Sequence, residues 1–333
     1  MTPTTTARAV IVTTPGGGDV LQVQQVEVPA PGAGEVQVEL AAAGVNFIDV
    51  YKRQGVYPTP TPFVLGEEGA GTVTAVGPDV SGFAVGDRVA WAQAAGSEAS
   101  VLNRPAQSLV QVPDGVDLET AAGVMLQGLT AHYLVTSTYP AASGDIALVH
   151  AAAGGVGQLL VQLLAAKGVT VVATAGSDEK LAVARRCGAR HTVNYSNYSR
   201  TDDLAAAVRA AAGRGVDVAY DGVGRATFDA SLAALRPRGM LVLFGGASGQ
   251  VPPFDLQRLN RGGSLYITRP TLVHYLRTRE ELEWRAREVL GAVADGSLHV
   301  EIGGRYPFDA AAAAYAALEG RRTTGKLVLV PTT

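Results

Sequence analysis

Between an apolar run at residues 146–150 and a helical pattern at 156–167 the chain reads His150-Ala-Ala-Ala-Gly154-Gly155-Val156-Gly157. Small residues at such a junction let backbone N–H groups approach a pyrophosphate, and the helix start adds partial positive charge. On the G-x-G-x-x-G template the first small position is Ala152, the second Gly154 and the third Gly157, where helix and strand pack closely. Gly154, Gly155, Val156 and Gly157 are therefore candidate cofactor contacts; the alternative is a tight strand–helix turn without a ligand. A second signal lies at the end of the next strand, residues 170–174, where NAD-specific sites usually carry a carboxylate for the ribose 2′-hydroxyl. Here the chain has Thr174-Ala175-Gly176-Ser177, with Lys180 three residues further on. Ser177 and Lys180 suit a 2′-phosphate through a hydrogen bond and a charge-assisted one, so NADPH is the expected cofactor. On that reading Asp178 and Glu179 favour the helix N-terminus, while the competing reading makes Lys180 a solvated helix residue.

The elements around these residues fall into two kinds. With 333 residues the chain should form about two domains. Residues 8 to about 125 are β-rich, with short alternating segments at 9–12, 36–40, 70–76 and 88–91 separated by Gly and Pro turns. That spacing predicts a barrel or sandwich. From residue 117 a helix-forming alanine-rich stretch leads into strand–helix units. Strands are expected at 146–150, 170–174, 216–220 and 240–244, and helices at 156–167 and 179–186, which predicts a parallel sheet covered on both faces. A charged helix at 277–293, a second alanine-rich helix at 310–319 and a strand at 326–330 complete the pattern.

Composition narrows the function. The net charge of −3, from 27 Lys and Arg against 30 Asp and Glu, argues against non-specific nucleic-acid binding. The single cysteine, Cys187, excludes an intrachain disulfide and a cysteine-rich zinc site and is expected to pack in the interior. The opening MTPTTTARAV does not read as a signal peptide, and no apolar run approaches membrane-spanning length. A soluble, cytoplasmic protein is expected.

The run Gly44-Val45-Asn46-Phe47-Ile48-Asp49-Val50-Tyr51 with Gly55-Val56-Tyr57-Pro58, the segments Tyr220-Asp221-Gly222-Val223-Gly224 and Phe244-Gly245-Gly246, and Gly263-Ser264-Leu265-Tyr266-Ile267-Thr268-Arg269-Pro270 extend over nearly the whole chain. In these the chain resembles the zinc-independent quinone oxidoreductases, a branch of the medium-chain dehydrogenase/reductases, and most of all the bacterial NADPH:quinone reductases and then the ζ-crystallins. The resemblance implies a GroES-like domain from residues 1–128 and 267–333, with a doubly wound Rossmann domain, 129–266, inserted in it. It also implies NADPH as cofactor and a homodimer formed through the Rossmann sheets. Zinc-dependent relatives place a cysteine where this chain has Gly44-Val45-Asn46-Phe47 and a Gly-His-Glu where it has Gly66-Glu67-Glu68. The five histidines, 132, 150, 191, 274 and 299, show no ligand spacing, so no metal is expected.

Without a metal to polarise it, the acceptor must be intrinsically electrophilic: a quinone, or an alkene conjugated to a carbonyl. By resemblance Asn46 lies near the nicotinamide ribose and the acceptor; a helix cap is its other reading. Tyr51 and Tyr57 match acceptor-pocket tyrosines that could stack on a planar ring or donate to an oxyanion, and ordinary half-buried packing is the alternative. Thr130 matches a position beside the nicotinamide, or bonds its own helix backbone. Tyr195 resembles a residue flanking the 2′-phosphoribose. Phe244, Gly246 and Ser248 follow a strand at the sheet's carboxyl edge. Arg269 would reach cofactor or acceptor, or form an ion pair; Lys326 would line the cofactor site, or simply begin the last strand. Two departures stand out: Gln127 in place of a lysine, and Gly222 in place of a serine. The expected activity is NADPH-dependent quinone reduction, and its alternative is reduction of α,β-unsaturated aldehydes or ketones. An RNA-binding role, known among ζ-crystallin-like proteins, is disfavoured by the charge, and a cofactor-binding sensor without turnover is a further reading.

Overall fold

The computed structural model describes residues 4–320 and 323–331. The chain separates into two compact units, Met1–Leu129 with Leu276–Thr333, and Thr130–Tyr275. The first stretch contains β1 (Thr4–Val12), β2 (Leu21–Pro29), β3 (Glu35–Gly44), α1 (Phe47–Arg53), β4 (Phe63–Val64), β5 (Glu68–Val76), β6 (Arg88–Ala92), β7 (Val101–Pro105), β8 (Val110–Gln111) and α2 (Leu118–Tyr133). The middle stretch contains β9 (Ile146–Val149), α3 (Gly155–Ala166), β10 (Thr170–Ala175), α4 (Asp178–Arg186), β11 (His191–Asn194), α5 (Thr201–Ala212), β12 (Val216–Asp221), α6 (Phe228–Ala234), β13 (Leu235–Leu243), α7 (Gln257–Arg261) and β14 (Tyr266–Thr268). The chain then returns with α8 (Arg279–Ala294), β15 (Ile302–Pro307), α9 (Ala311–Glu319) and β16 (Lys326–Val330).

In the first unit β1 pairs with β2 and β4, while a larger sheet runs β15-β16-β3-β5-β6-β8 with β7 also on β3. One core serves both sheets: Val10 and Val12 of β1, Val38 and Leu40 of β3, Trp91 of β6 and Leu327 and Leu329 of β16 pack together. Alternating strands put these apolar side chains on one face, and burying that face is the main drive to the fold. The last strand has a particular place in it. β16 pairs with β3 through Val328–Gly44 and Leu329–Ala43, so the far end of the sequence meets the segment leading to Asn46.

The second unit is one parallel sheet in the order β11-β10-β9-β12-β13-β14. Leu148 and Val149 of β9, and Val171 and Val172 of β10, have no exposed surface, as central strands covered on both faces require. β10 lies to one side of β9 and β12 to the other, so the order reverses at the carboxyl end of β9. That is where an open α/β sheet forms a ligand crevice.

The expected boundary between residues 266 and 267 falls inside β14. Because β14 pairs with β13, residues 267–275 stay with the parallel sheet, and the compact unit extends to Tyr275. The β2 strand and the full length of β1 were not expected; they pair across nine positions from Thr4–Pro29 to Val12–Leu21. Their signal is weak because the hairpin's outer face is glutamine-rich. Cys187 is half-buried rather than interior, since it caps α4 at its exposed end.

Candidate active site

In the second unit, the turn between β9 and α3 is held by backbone bonds to its neighbours. His150 N–H donates to Tyr220 O, Ala152 N–H to Thr174 O and Gly154 N–H to Ala151 O. Ala151 has a φ of +51°, which folds the chain back under the start of α3. A Cβ on Gly157 would stand 2.3 Å from Ala151 O and 2.8 Å from Ala152 Cα, so no larger residue fits without moving backbone. His150 is buried, and its Nδ1 lies 2.7 Å from Thr174 Oγ1. Burial pushes its pKa down, with Asp221 opposing, so the ring under the turn is neutral at pH 7.

The expected 2′-phosphate residues Ser177 and Lys180 follow the end of β10, and β10 pairs with β9, which leads into this turn. Ser177 is the N-cap of α4, its Oγ accepting from Lys180 N–H. A Ser177 hydrogen bond also holds the exposed Glu179 carboxyl below its ordinary range, so a phosphate would draw that hydroxyl away from Glu179. Tyr195 lies against Gly176, its hydroxyl 2.9 Å from where a Cβ would stand. Lys180 is half-buried. Thr130 is buried in α2.

Phe244, Gly246 and Ser248 follow β13 at the same carboxyl edge. Ser248 Oγ donates to Val223 O and accepts from Ala226 N–H, which ties two loops together. The Arg269 guanidinium donates to Leu243 O at 3.0 Å, a backbone anchor where an ion pair was the alternative. Asp221 accepts from Val223 N–H, Gly224 N–H, Thr227 and Ser231, so the Tyr-Asp-Gly-Val-Gly segment is a carboxylate-organised loop. The departure at Gly222 has a packing reason. A Cβ there would stand 2.9 Å from the Phe244 ring, so a serine would displace Phe244.

In the first unit Asn46 heads α1 in a capping box with Asp49, whose Oδ2 accepts from Asn46 N–H. Its side chain is buried and bonded throughout. Nδ2 donates to Gly44 O and to Glu68 Oε1, each at 2.9 Å. Oδ1 accepts from Lys326 Nζ at 2.8 Å and from Gln127 Nε2. Lys326 also donates to Val45 O and to Glu68 Oε1, and Glu68 Oε2 accepts from Leu126 N–H. A carboxylate, an ammonium and two amides thus join β5, β16, α1 and α2 in the interior. Burial pulls the Lys326 pKa down while Glu68 opposes.

The two tyrosines expected at the acceptor differ in exposure. Tyr51, on α1, is half-buried, and Tyr57 is 40% exposed. Their rings meet edge to face with centroids 5.7 Å apart, and the Phe47 ring lies 6.3 Å from that of Tyr51.

Glu68 and the buried group Asp49–Tyr315–Glu98 were not foreseen as parts of the site. Tyr315 donates to Glu98 Oε1, and the buried Asp49 keeps an Oδ1 without a partner. Positions 49, 98 and 315 share no spacing, so no motif could have joined them. Among the described residues no group of three or more His, Cys, Asp or Glu is placed to hold a metal ion.

A doubly wound sheet with a glycine turn at its switch point, joined to a β unit built from both chain ends, defines a medium-chain dehydrogenase/reductase. Residues 32–144 match the alcohol dehydrogenase GroES-like domain and residues 155–288 the zinc-binding dehydrogenase family. The chain is 46% identical over 321 residues to a quinone oxidoreductase of Pseudomonas aeruginosa, covering 95% of this chain and 97% of that protein. It is 41% identical over 333 residues to a 2-haloacrylate reductase of Burkholderia, covering 97% and 98%. A mycobacterial protein solved in complex with NADPH superposes with a TM-score of 0.94 at 48% identity, over 98% of this chain and all of the other. The chain belongs to the quinone oxidoreductase branch of the medium-chain dehydrogenase/reductases.

Proposed function

We propose that this protein is an NADPH-dependent quinone reductase that works without a metal. The observation that carries the reading is the second unit's turn, with Gly157 pressed on backbone, Ser177 capping α4 at Lys180 N–H, and Tyr195 against Gly176. These residues fit a dinucleotide with a 2′-phosphate. The α3 N-terminus meets the pyrophosphate, and Lys180 and Ser177 meet the extra phosphate. Tyr195 flanks its ribose, Thr130 lies by the nicotinamide, and Phe244, Gly246 and Arg269 border that end of the site. When bound, the cofactor supplies hydride. Tyr51 and Tyr57 hold a flat electrophilic ring, and a phenol hydroxyl stabilises the negative charge that develops on its oxygen. Asn46 acts from beneath by fixing the start of α1. With Asn46 and Glu67 at positions where zinc-dependent relatives have ligands, no metal polarises the acceptor.

The 41%-identical 2-haloacrylate reductase favours a second reading, reduction of an alkene conjugated to a carbonyl group. The test is oxidation of NADPH and NADH with 1,4-benzoquinone, 9,10-phenanthrenequinone and trans-2-hexenal, with and without EDTA. Quinone turnover that prefers NADPH and ignores EDTA is expected. Lys180→Ala should weaken NADPH about tenfold and leave NADH nearly unchanged. Turnover of the enal alone would overturn the quinone assignment, and loss of rate in EDTA the metal-free one.

We further propose a homodimer joined through β14, the edge strand of the parallel sheet, on which Tyr266 is 56% exposed. An unpaired edge with an exposed aromatic offers both backbone bonds and apolar area to a second copy. Light scattering should give twice the chain mass, falling toward one chain in Tyr266→Lys with Ile267→Pro. A monomeric wild type would end this proposal. A cytoplasmic location goes with NADPH and the lone thiol of Cys187, and cell fractionation tests it.

A further inference from the structure

Gln127 and Lys326 come from the two separate stretches of the first unit's sequence, yet their tips meet on one atom, Asn46 Oδ1. The pocket around that atom is closed. Asn46 is 3% exposed, Glu68 0%, Gln127 8% and Lys326 4%. Glu68 is the carboxylate bonded to the ammonium there, and the ammonium has all three hydrogens placed, on Asn46 Oδ1, Val45 O and Glu68 Oε1. The other end of the Gln127 amide, Oε1, has no partner.

We propose that Lys326 is a positioning residue for the acceptor site, supplying the single buried cation that fixes Asn46 and Glu68, and that a lysine at position 127 could supply it instead. Two features lead from the cation to the acceptor. Asn46 is the first residue of the turn that begins α1, and α1 carries Tyr51, which packs on Tyr57. Glu68, the partner of the ammonium, holds the N–H of Leu126, the residue next to Gln127. Without the ammonium, a buried carboxylate loses its counter-charge and Asn46 Oδ1 loses its stronger donor, so the start of α1 loosens. A lysine at 127 is one bond longer than glutamine and reaches the same oxygen. With Lys326 still present it would bring a second cation against one carboxylate, which is unfavourable.

The inference rests on Tyr51 and Tyr57 contacting the acceptor, so binding and turnover are read separately. The experiment is a double-mutant cycle of Lys326→Met and Gln127→Lys. It measures quinone KM, quinone affinity by fluorescence quenching without NADPH, NADPH affinity and melting temperature. Each single change is expected to raise quinone KM and Kd at least about tenfold, with NADPH affinity within about twofold, and the pair together to return near the wild type. A second variant, Lys326→Ala, opens space for a small cation. Methylammonium, which has N–H donors, should restore quinone affinity there, and tetramethylammonium, of equal charge without donors, should not. A folded double variant no better than Lys326→Met overturns the proposal, as does NADPH affinity falling with Lys326→Met, which makes Lys326 a cofactor contact. If the double variant does not fold, failure of methylammonium on Lys326→Ala overturns it. A wild type that binds quinone but does not reduce it removes the proposed activity, while the cycle is still read in Kd.

Discussion

Gly157→Val is expected to abolish NADPH binding and to lower stability by more than about 3 kcal/mol, because overpacking here acts against backbone. The new Cβ would meet Ala151 O at 2.3 Å and Ala152 Cα and C at 2.8 and 2.9 Å. None of these atoms can rotate aside as a side chain can. Ala151 is already in the left-handed region, and relieving the clash must separate α3 from β9. The N–H groups at the start of α3 then no longer converge on one point, and their attraction for a pyrophosphate is lost with that geometry. Calorimetric titration with NADPH beside a thermal melt reads both effects. Gly291→Ala, in α8 with nothing within 4 Å, is the control, and should leave binding unchanged and gain about 0.5–1 kcal/mol from helix propensity. A Gly157→Val protein that melts normally and binds NADPH at wild-type affinity would show that the phosphates lie elsewhere.

The second large effect is on the pH dependence of stability. Burial raises the pKa of Glu98 from 4.5 to about 8, against the lowering effects of its Tyr315 hydrogen bond and of Lys326. Burial also raises Asp49, helped by the charges of Glu98 and Glu67. Each carboxyl has an oxygen without a partner, so the single Tyr315 hydroxyl does not satisfy both. A group whose folded pKa is raised holds its proton more tightly in the folded state. Its contribution is complete below pH 4.5 and is lost as pH rises through about 8. At about 1.4 kcal/mol per pKa unit the loss across that window is on the order of 5 kcal/mol. Glu98→Gln keeps the acceptor for Tyr315 and removes the charge. It should therefore flatten the urea midpoint between pH 5 and pH 9 and exceed the wild type at pH 9. Asp49, raised by the same burial, leaves a residual slope of the same sign. Parallel midpoint curves for the two proteins would show that Glu98 holds no proton in the folded state.

The central strands of the parallel sheet and the glycine turn between β9 and α3 were readable in the amino-acid order because each is local, whereas Tyr195 beside Gly176 came from the resemblance. The mainly apolar segments 146–150, 170–174, 216–220 and 240–244 mark strands of the parallel sheet, and they became β9, β10, β12 and part of β13. Small residues between a strand and a helix specify a turn whatever lies beyond it. The departure at Gly222 could be seen but not explained, since the Phe244 ring that requires it lies on the neighbouring strand's exit.

The sequence by itself determined the strands and helices that flank the glycine turn, because those depend on neighbours a few residues away. Only the tertiary structure decided what Asn46 and Lys326 touch. Asn46 could be a helix cap or a ligand contact from its sequence, and Lys326 a cofactor contact or merely the start of a strand. The pairing of β16 with β3 brings Lys326 beside residues 44–46, and α2 delivers Gln127 to the same oxygen. Glu68, from β5, supplies the opposite charge. A charge buried with its counter-charge depends on chain segments hundreds of residues apart folding together, and nothing in the local order of residues encodes that meeting.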